Sequence, residues 1–309
     1  MKVYRSFDTI PFQKNTIITL GMFDGVHLGH QAMIQRLLQE SSTGKRGLVV
    51  TFEPHPLAVL GDGIEGFLLS TTDEKLALLA ELAVEHVLLI PFDRRIAELN
   101  AESFIRDFLL EKIGLEGLIV GFNHTIGHDR STIKNIQSLA DVYHFFVDSV
   151  EPVKVQNEIV SSTLVREALR AGQIERACLY LGKPYRLTGK VVTGNRIGRR
   201  LGFPTANMKV SDKKLVPADG VYAVQVLIQN RILNGLANIG FSPTIPGKTW
   251  GIEIFIDNFK EIIYNKYLNI QFISRLRDEK KFDSSEELIQ QIKEDQQCAH
   301  LKFAQHKRR

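Results

Sequence analysis

A change of periodicity part-way along the chain limits what it can fold into more than any other feature. Before Gly182-Lys183-Pro184, short β-branched runs alternate with helical stretches: "TIITLGMF", a helix from about Leu28, "GLVVTF", "TDEKLALLAEL", "HVLLIPF", "AESFIRDFLLEKI" and "GLIVGF". Strand and helix at that spacing imply right-handed crossovers and a parallel sheet covered on both faces. After that point the runs "YRLTGKVVTG", "GVYAVQVLI", "RILNGLANIG", "WGIEIFID" and "YLNIQFIS" are strand-like and separated by Gly, Asn and Pro. This half predicts a small antiparallel barrel. "STLVREALRAGQIERACLYL" supplies two short helices joined at Gly172, and "DSSEELIQQIKEDQQCA" a last helix, with Ser284 and Glu287 spaced for a capping box. A chain of 309 residues exceeds what one core usually serves. The expectation is an α/β domain over 1–182 followed by a β domain over 183–309.

Bulk properties exclude more than they assign. Net charge is +4, and part of the excess sits in the terminal "HKRR", which reads as a solvated tail, so charge predicts no nucleic-acid partner. Cys178 and Cys298 lie in no CxxC or Cys/His cluster, and both are expected as reduced thiols. The N-terminus lacks the apolar core of a signal peptide, and no apolar run approaches the ~18 residues of a membrane helix. A cytoplasmic protein with no membrane partner, monomeric or weakly self-associating, is expected.

In "TLGMFDGVHLGHQAMIQRL", His27 and His30 fall where a buried strand turns through "FDG" into a helix. Open α/β sheets bind ligands at such strand ends, and helix N-termini offer free N–H groups to phosphates. Gly29 removes a side chain between the imidazoles, so a phosphate chain can approach the backbone while both rings donate to it. Helix capping and a zinc pair remain alternatives, although two ligands at i, i+3 leave a zinc shell unfilled. The glycines of this stretch do not fit GxGxxG, and no GxxxxGK[ST] is present in the chain. Further on, Ser161, Ser162 and Thr163 stand at a helix start with Arg166 a turn later, one face on which hydroxyls and a forked cation can bind phosphate. A plain N-cap with a solvated arginine is the alternative.

The second constellation is "GNRIGRRLGFPTANM". Gly194, Gly198 and Gly202 are spaced for a loop whose backbone approaches something closely, and Arg199 and Arg200 add charge. Thr205 and Asn207 alternate, so on a strand they share a face and can offer hydroxyl and amide oxygens to one Mg²⁺. A tight basic turn without a ligand is the alternative.

These motifs, in this order, resemble the bacterial bifunctional riboflavin kinase/FMN adenylyltransferase (FAD synthetase) family. "GMFDGVHLGH" is similar to the HxGH signature of nucleotidyltransferases, and "TFEPHP", "GFNHTIGHDR" and "VSSTLVREAL" fall where the family has its later motifs. "GRRLGFPTAN" resembles the riboflavin kinase signature, followed by "PADGVYAV", "NIGFSPT", "WGIEIFIDNF" and "LRDEKKFDSSEEL". The resemblance implies a Rossmann-like nucleotidyltransferase domain and a β-barrel riboflavin kinase domain closed by a helix. It implies ATP with Mg²⁺ as co-substrate and riboflavin, FMN and FAD as substrates and products. By resemblance, Gly21, Phe23, Asp24, His55 and Asn123 join the nucleotide site, Pro204 joins the kinase loop, and Glu253 is the base for riboflavin's 5′-hydroxyl. No recognisable nucleophile elbow is present, so direct in-line attack of FMN phosphate on the α-phosphorus of ATP is expected, with His27, His30 and Arg166 neutralising charge. The chain departs from the pattern at His124 and Ile126, where aromatic residues are more usual, at Phe255, where His is usual, and at Asn265, where Gly is common. Two other readings stay open: adenylyl transfer alone with a flavin-binding β domain, and a non-catalytic flavin or nucleotide sensor.

Overall fold

The computed structural model describes residues 1–42, 44–61, 63–194, 198, 202–229, 231–241 and 250–306. Arg199 and Arg200, expected in the basic loop, and most of "HKRR" lie outside the described residues. Internal packing divides the chain into one unit of Met1–Ile64 with Ser70–Ser162, and another of Glu65–Leu69 with Thr163–Arg309.

The first unit is a six-stranded sheet, every pair parallel, in the order β1-β4-β3-β2-β5-β6. Its strands are β1 (Lys2–Tyr4), β2 (Thr16–Leu20), β3 (Arg46–Glu53), β4 (His86–Pro91), β5 (Leu115–Gly121) and β6 (Phe146–Val150). The connecting helices are α1 (Leu28–Ser41), α2 (Pro56–Leu60), α3 (Thr72–Glu81), α4 (Arg94–Ala97), α5 (Ala101–Ser103) and α6 (Ile133–Tyr143), with α5 continuing as a π-helix over Phe104–Ile113. All five β2 residues are buried, because both faces of the central strands are covered. Ile18, Leu48, Leu88 and Leu118 pack with Phe104, Leu109 and Ile136 on one face. Ile17, Val49, Val87 and Ile119 pack with Ile34, Leu37 and Leu79 on the other. A two-residue ribbon, β7 (Lys154–Val155) with β8 (Glu158–Ile159), precedes α7 (Ser162–Arg170).

The second unit is a closed antiparallel barrel in the order β10-β13-β12-β11-β14-β9. The strands are β9 (Tyr185–Val192), β10 (Thr205–Lys209), β11 (Gly220–Ile228), β12 (Arg231–Gly240), β13 (Gly251–Ile256) and β14 (Tyr267–Arg277). Helix α8 (Ile174–Leu181) packs on β14 and β9, which is why by packing the second unit begins at Thr163, ahead of Gly182. Residues 65–69 also belong to this unit: Leu68 bridges Lys214, and Leu215 N donates to Leu68 O at 2.8 Å. The final helix, α9 (Ser285–His306), lays Ala299 and Phe303 on Ala223, Leu236 and Ile273 of the barrel's outer face. Its capping differs from expectation. Glu287 N donates to Ser284 Oγ at 3.1 Å, but the Glu287 carboxylate accepts from Asp283 N, one residue early, so the box closes on its neighbour.

Candidate active sites

In the first unit the chain leaves β2 through a turn that few sequences tolerate. Phe23 (φ 50°) and Val26 (φ 44°) are left-handed without being glycine, at a cost of about 1–3 kcal/mol each. Several contacts hold them there. Asp24 Oδ1 accepts from Ser70 N at 2.9 Å and Ser70 Oγ at 3.2 Å, Gly25 N donates to Ser70 Oγ at 2.9 Å, and Gln31 Nε2 donates to Val26 O at 2.9 Å. Ser162 Oγ donates to Asp24 O at 3.1 Å. The strained turn therefore brings "FDG", the α1 N-terminus and the start of "SSTLVR" together.

His27 is the N-cap of α1: its Nδ1 accepts from His30 N at 3.4 Å, and the two imidazoles stack at 3.7 Å with an 18° interplanar angle. Phe23 lies beneath His30 at 5.1 Å. A Cβ on Gly29 would come within 3.1 Å of His27 Cε1, so this glycine makes room for the His27 ring. The pair opens onto a cleft of about 920 Å³, whose wall includes Gly21, Met22, Gly29, Asn123 and Ser161. Its lining is otherwise largely apolar and aromatic, with Phe52, Leu57, Phe92, Leu99, Phe104 and Phe122. A polyphosphate end beside a flat apolar end suits a phosphorylated ring compound.

Other expected residues fall elsewhere. Phe23 and Asp24 are buried in the turn and are absent from this cleft's wall. His55 is the N-cap of α2, with Nδ1 accepting from Leu57 N at 3.3 Å, and its neighbours Pro56 and Leu57 reach the wall. Thr163 is exposed, and Arg166 packs within the second unit, its Nε donating to Phe67 O at 3.0 Å and its guanidinium 3.8 Å from the Phe67 ring centre. His124 is on the wall, but its Nε2 is shielded from solvent and has no hydrogen-bond partner among the described residues. Burial pushes its pKa down to about 4, so the ring is neutral at pH 7.

In the second unit the register of three adjacent strands builds a polar row. Glu253 on β13 stands opposite Asn207 on β10 and Asn238 on β12, so the three side chains share the barrel's outer face. Alternate residues Ile252, Ile254 and Ile256 fill the interior. Glu253 and Asn207 line a cleft of about 660 Å³ with Gly194, Lys209, Trp250 and Gly240. Thr205 precedes Asn207 by two on the same face, and Pro204 is exposed just before the strand. The glycines do make close approaches: a Cβ on Gly194 would overlap the Asn207 amide, and one on Gly198 would overlap Phe203 O. Gly202, at φ 86°, has the left-handed backbone that favours glycine. Asn238 and Glu279 went unassigned in the sequence. Asn238 Nδ2 donates to Glu279 Oε1 at 3.4 Å, and Phe241 N to Glu279 Oε2 at 3.2 Å. The signal was the strand register, which puts Asn238 beside Glu253. Phe255 stands where His was expected. It packs against the cluster under α9 and meets the Phe203 ring at 5.7 Å, an apolar position. Asn265 adopts φ 64°, the left-handed conformation that glycine takes most readily and asparagine tolerates.

Comparison with known proteins agrees with this division. The FAD synthetase family model matches residues 9–164 and the riboflavin kinase model residues 181–303. The bifunctional riboflavin kinase/FMN adenylyltransferase of Escherichia coli K12 is 36% identical over 296 residues, covering 94% of each chain. The chain belongs to the bifunctional riboflavin kinase/FMN adenylyltransferase family. The Bacillus subtilis member is 34% identical over 94% of both chains. Among solved structures, one described as a macrolide-efflux protein from Streptococcus pneumoniae superposes with a TM-score of 0.87 at 29% identity, covering 97% of this chain and 98% of that one. No helix among the described residues is long and apolar enough to cross a membrane.

Proposed function

We propose that the chain makes FAD in two ATP-dependent steps, phosphorylating riboflavin in the barrel cleft and adenylylating FMN in the cleft of the parallel-sheet unit. The observation that carries this is a polar cleft in each unit, with His27, His30 and Ser161 within residues 9–164 and Asn207 and Glu253 within residues 181–303, the segments matched by the two family models. A sensor needs no base beside its ligand, and a single-activity enzyme needs only one such cleft.

At the first cleft the FMN phosphate oxygen attacks the α-phosphorus of ATP; the new O–P bond forms as the α–β bridging bond breaks and pyrophosphate leaves. His27 and His30, stacked at the α1 N-terminus, donate to the polyphosphate oxygens, with free helix N–H groups adding to the same field. Ser161 supplies a hydroxyl from the lining of the same cleft. Arg166 is assigned to charge neutralisation by its motif alone. The aromatic side of the cleft takes the flavin ring.

At the second cleft Glu253 accepts the proton of riboflavin's 5′-hydroxyl as that oxygen attacks the γ-phosphorus, and ADP leaves. Thr205 and Asn207 would hold Mg²⁺. Their hydroxyl and amide oxygens are hard donors of the kind this ion takes. Bound there, the ion supplies charge neutralisation on the transferred phosphoryl group. Gly194 lets its own backbone lie against the Asn207 amide.

The test is a product analysis with riboflavin, ATP and Mg²⁺. FMN followed by FAD is expected; FMN alone, or FAD only from supplied FMN, would reduce the chain to one activity.

A further inference from the structure

Lys75, on α3, is only 5% exposed, yet no carboxylate among the described residues forms an ion pair with it. Its Nζ donates to three oxygens: Met22 O at 3.3 Å, Thr51 Oγ1 at 3.1 Å and Phe52 O at 3.4 Å. Thr51 Oγ1 already gives its own proton to Met22 O at 3.1 Å, so it faces the lysine with a lone pair. An ammonium serves all three acceptors with one N–H each. Burial holds its pKa below the ordinary lysine value, and Glu53 and Asp24 offset part of that effect. Met22 and Phe52 both line the first cleft, at the ends of β2 and β3 respectively.

We propose that Lys75 is a positioning residue for the first cleft: its ammonium ties the two strand ends that carry "GMFDG" and "TFEP", and holds a positive charge behind the wall that receives a polyphosphate. The assignment rests on the reading of that cleft as the adenylyl-transfer site. A fixed charge in a poorly solvated wall attracts an anion without moving, whereas a surface lysine must first be ordered. Its three bonds also fix carbonyl groups of the floor relative to one another. Lys75 touches no substrate; it acts through Met22, Thr51 and Phe52.

Inorganic pyrophosphate with Mg²⁺ is the probe, titrated calorimetrically into the full chain. Binding heat lost in His30→Ala is assigned to the first cleft. Lys75→Met removes charge and donors, and Lys75→Gln keeps an amide that can serve two of the three oxygens. In both variants pyrophosphate affinity at this cleft should fall about tenfold or more, and FAD formation from FMN should lose at least thirtyfold in kcat/KM with most of the loss in kcat. Riboflavin phosphorylation should stay within twofold. Affinity within threefold of the unsubstituted chain in either folded variant would overturn the proposal. So would loss of the first unit's cooperative unfolding in both, since Lys75 would then be a folding element only. If the unsubstituted chain binds pyrophosphate but makes no FAD, the reading of the cleft fails while the effect of Lys75 on pyrophosphate still decides this proposal.

Discussion

Acid should loosen the first unit in part through the His124 imidazole, and His124→Phe should remove that part of the effect. The His124 pKa is about 4 in the folded chain against an ordinary 6.5, because burial disfavours the cation. Between those values the unfolded chain binds a proton that the folded one excludes, so stability falls as pH drops below 6.5 and levels off below 4. The full difference amounts to about 3 kcal/mol, of which about 2 kcal/mol has been lost by pH 5. Phenylalanine fits the aromatic outline without a nitrogen to satisfy. At pH 7 it should gain about 1 kcal/mol or more, since Nε2 has no partner among the described residues. Urea unfolding of both chains at pH 7, 6 and 5, followed by circular dichroism, measures the difference. Its growth toward acid isolates His124 from other groups such as His86, whose pKa is also lowered by burial. A stability difference that stays constant within about 0.5 kcal/mol from pH 7 to 5 would refute the reasoning, being less than the shift requires.

Three further outcomes are expected. Thr71 and Glu74 form a complete capping box at the start of α3, so Thr71→Ala should cost about 1 kcal/mol in the same unfolding measurement. Gly117 on β5 lies against the Phe146 ring of β6, and a methyl group there would overlap it; Gly117→Ala should therefore lower the unfolding midpoint, by about 1–3 kcal/mol in free energy. Gly194→Ala, by displacing the Asn207 amide, should slow FMN formation at least tenfold and leave FAD formation from supplied FMN unchanged, as read by chromatography of the two products.

The central strands were legible because burial on both faces writes them as unbroken apolar runs: "TIITL" and "HVLLI" need no partner to be recognised. Edge elements were not. β6, "FVDSV", is half exposed and interrupted by polar residues, and β1 is three residues long; α6 begins among the polar residues of "STIKNIQ". The segment 65–69 joins the second unit through one bridge, a few backbone bonds and contacts of Phe67 and Leu69 with Arg166 and Lys214, partners far apart in sequence. Among site residues, the histidine pair stood out because strand, turn and helix cap occupy one short stretch. Asn238 and Lys75 did not, since their meaning comes from strand register and from carbonyl groups of distant strands. Gly29 was noticed for its missing side chain, but what occupies the space is the ring of His27. Phe255 shows the converse: a position that reads as a departure in a motif is an ordinary packing residue under α9.

The claim that two independent sites act in series is tested most directly by mixing two inactivated chains. His30→Ala should convert riboflavin and ATP to FMN and stop there; Glu253→Gln should make FAD only when FMN is supplied. Combined in one vessel with riboflavin, ATP and Mg²⁺, they should restore FAD formation, because FMN released by the first serves the second. A mixture that accumulates FMN without FAD, or forms neither, would contradict the account.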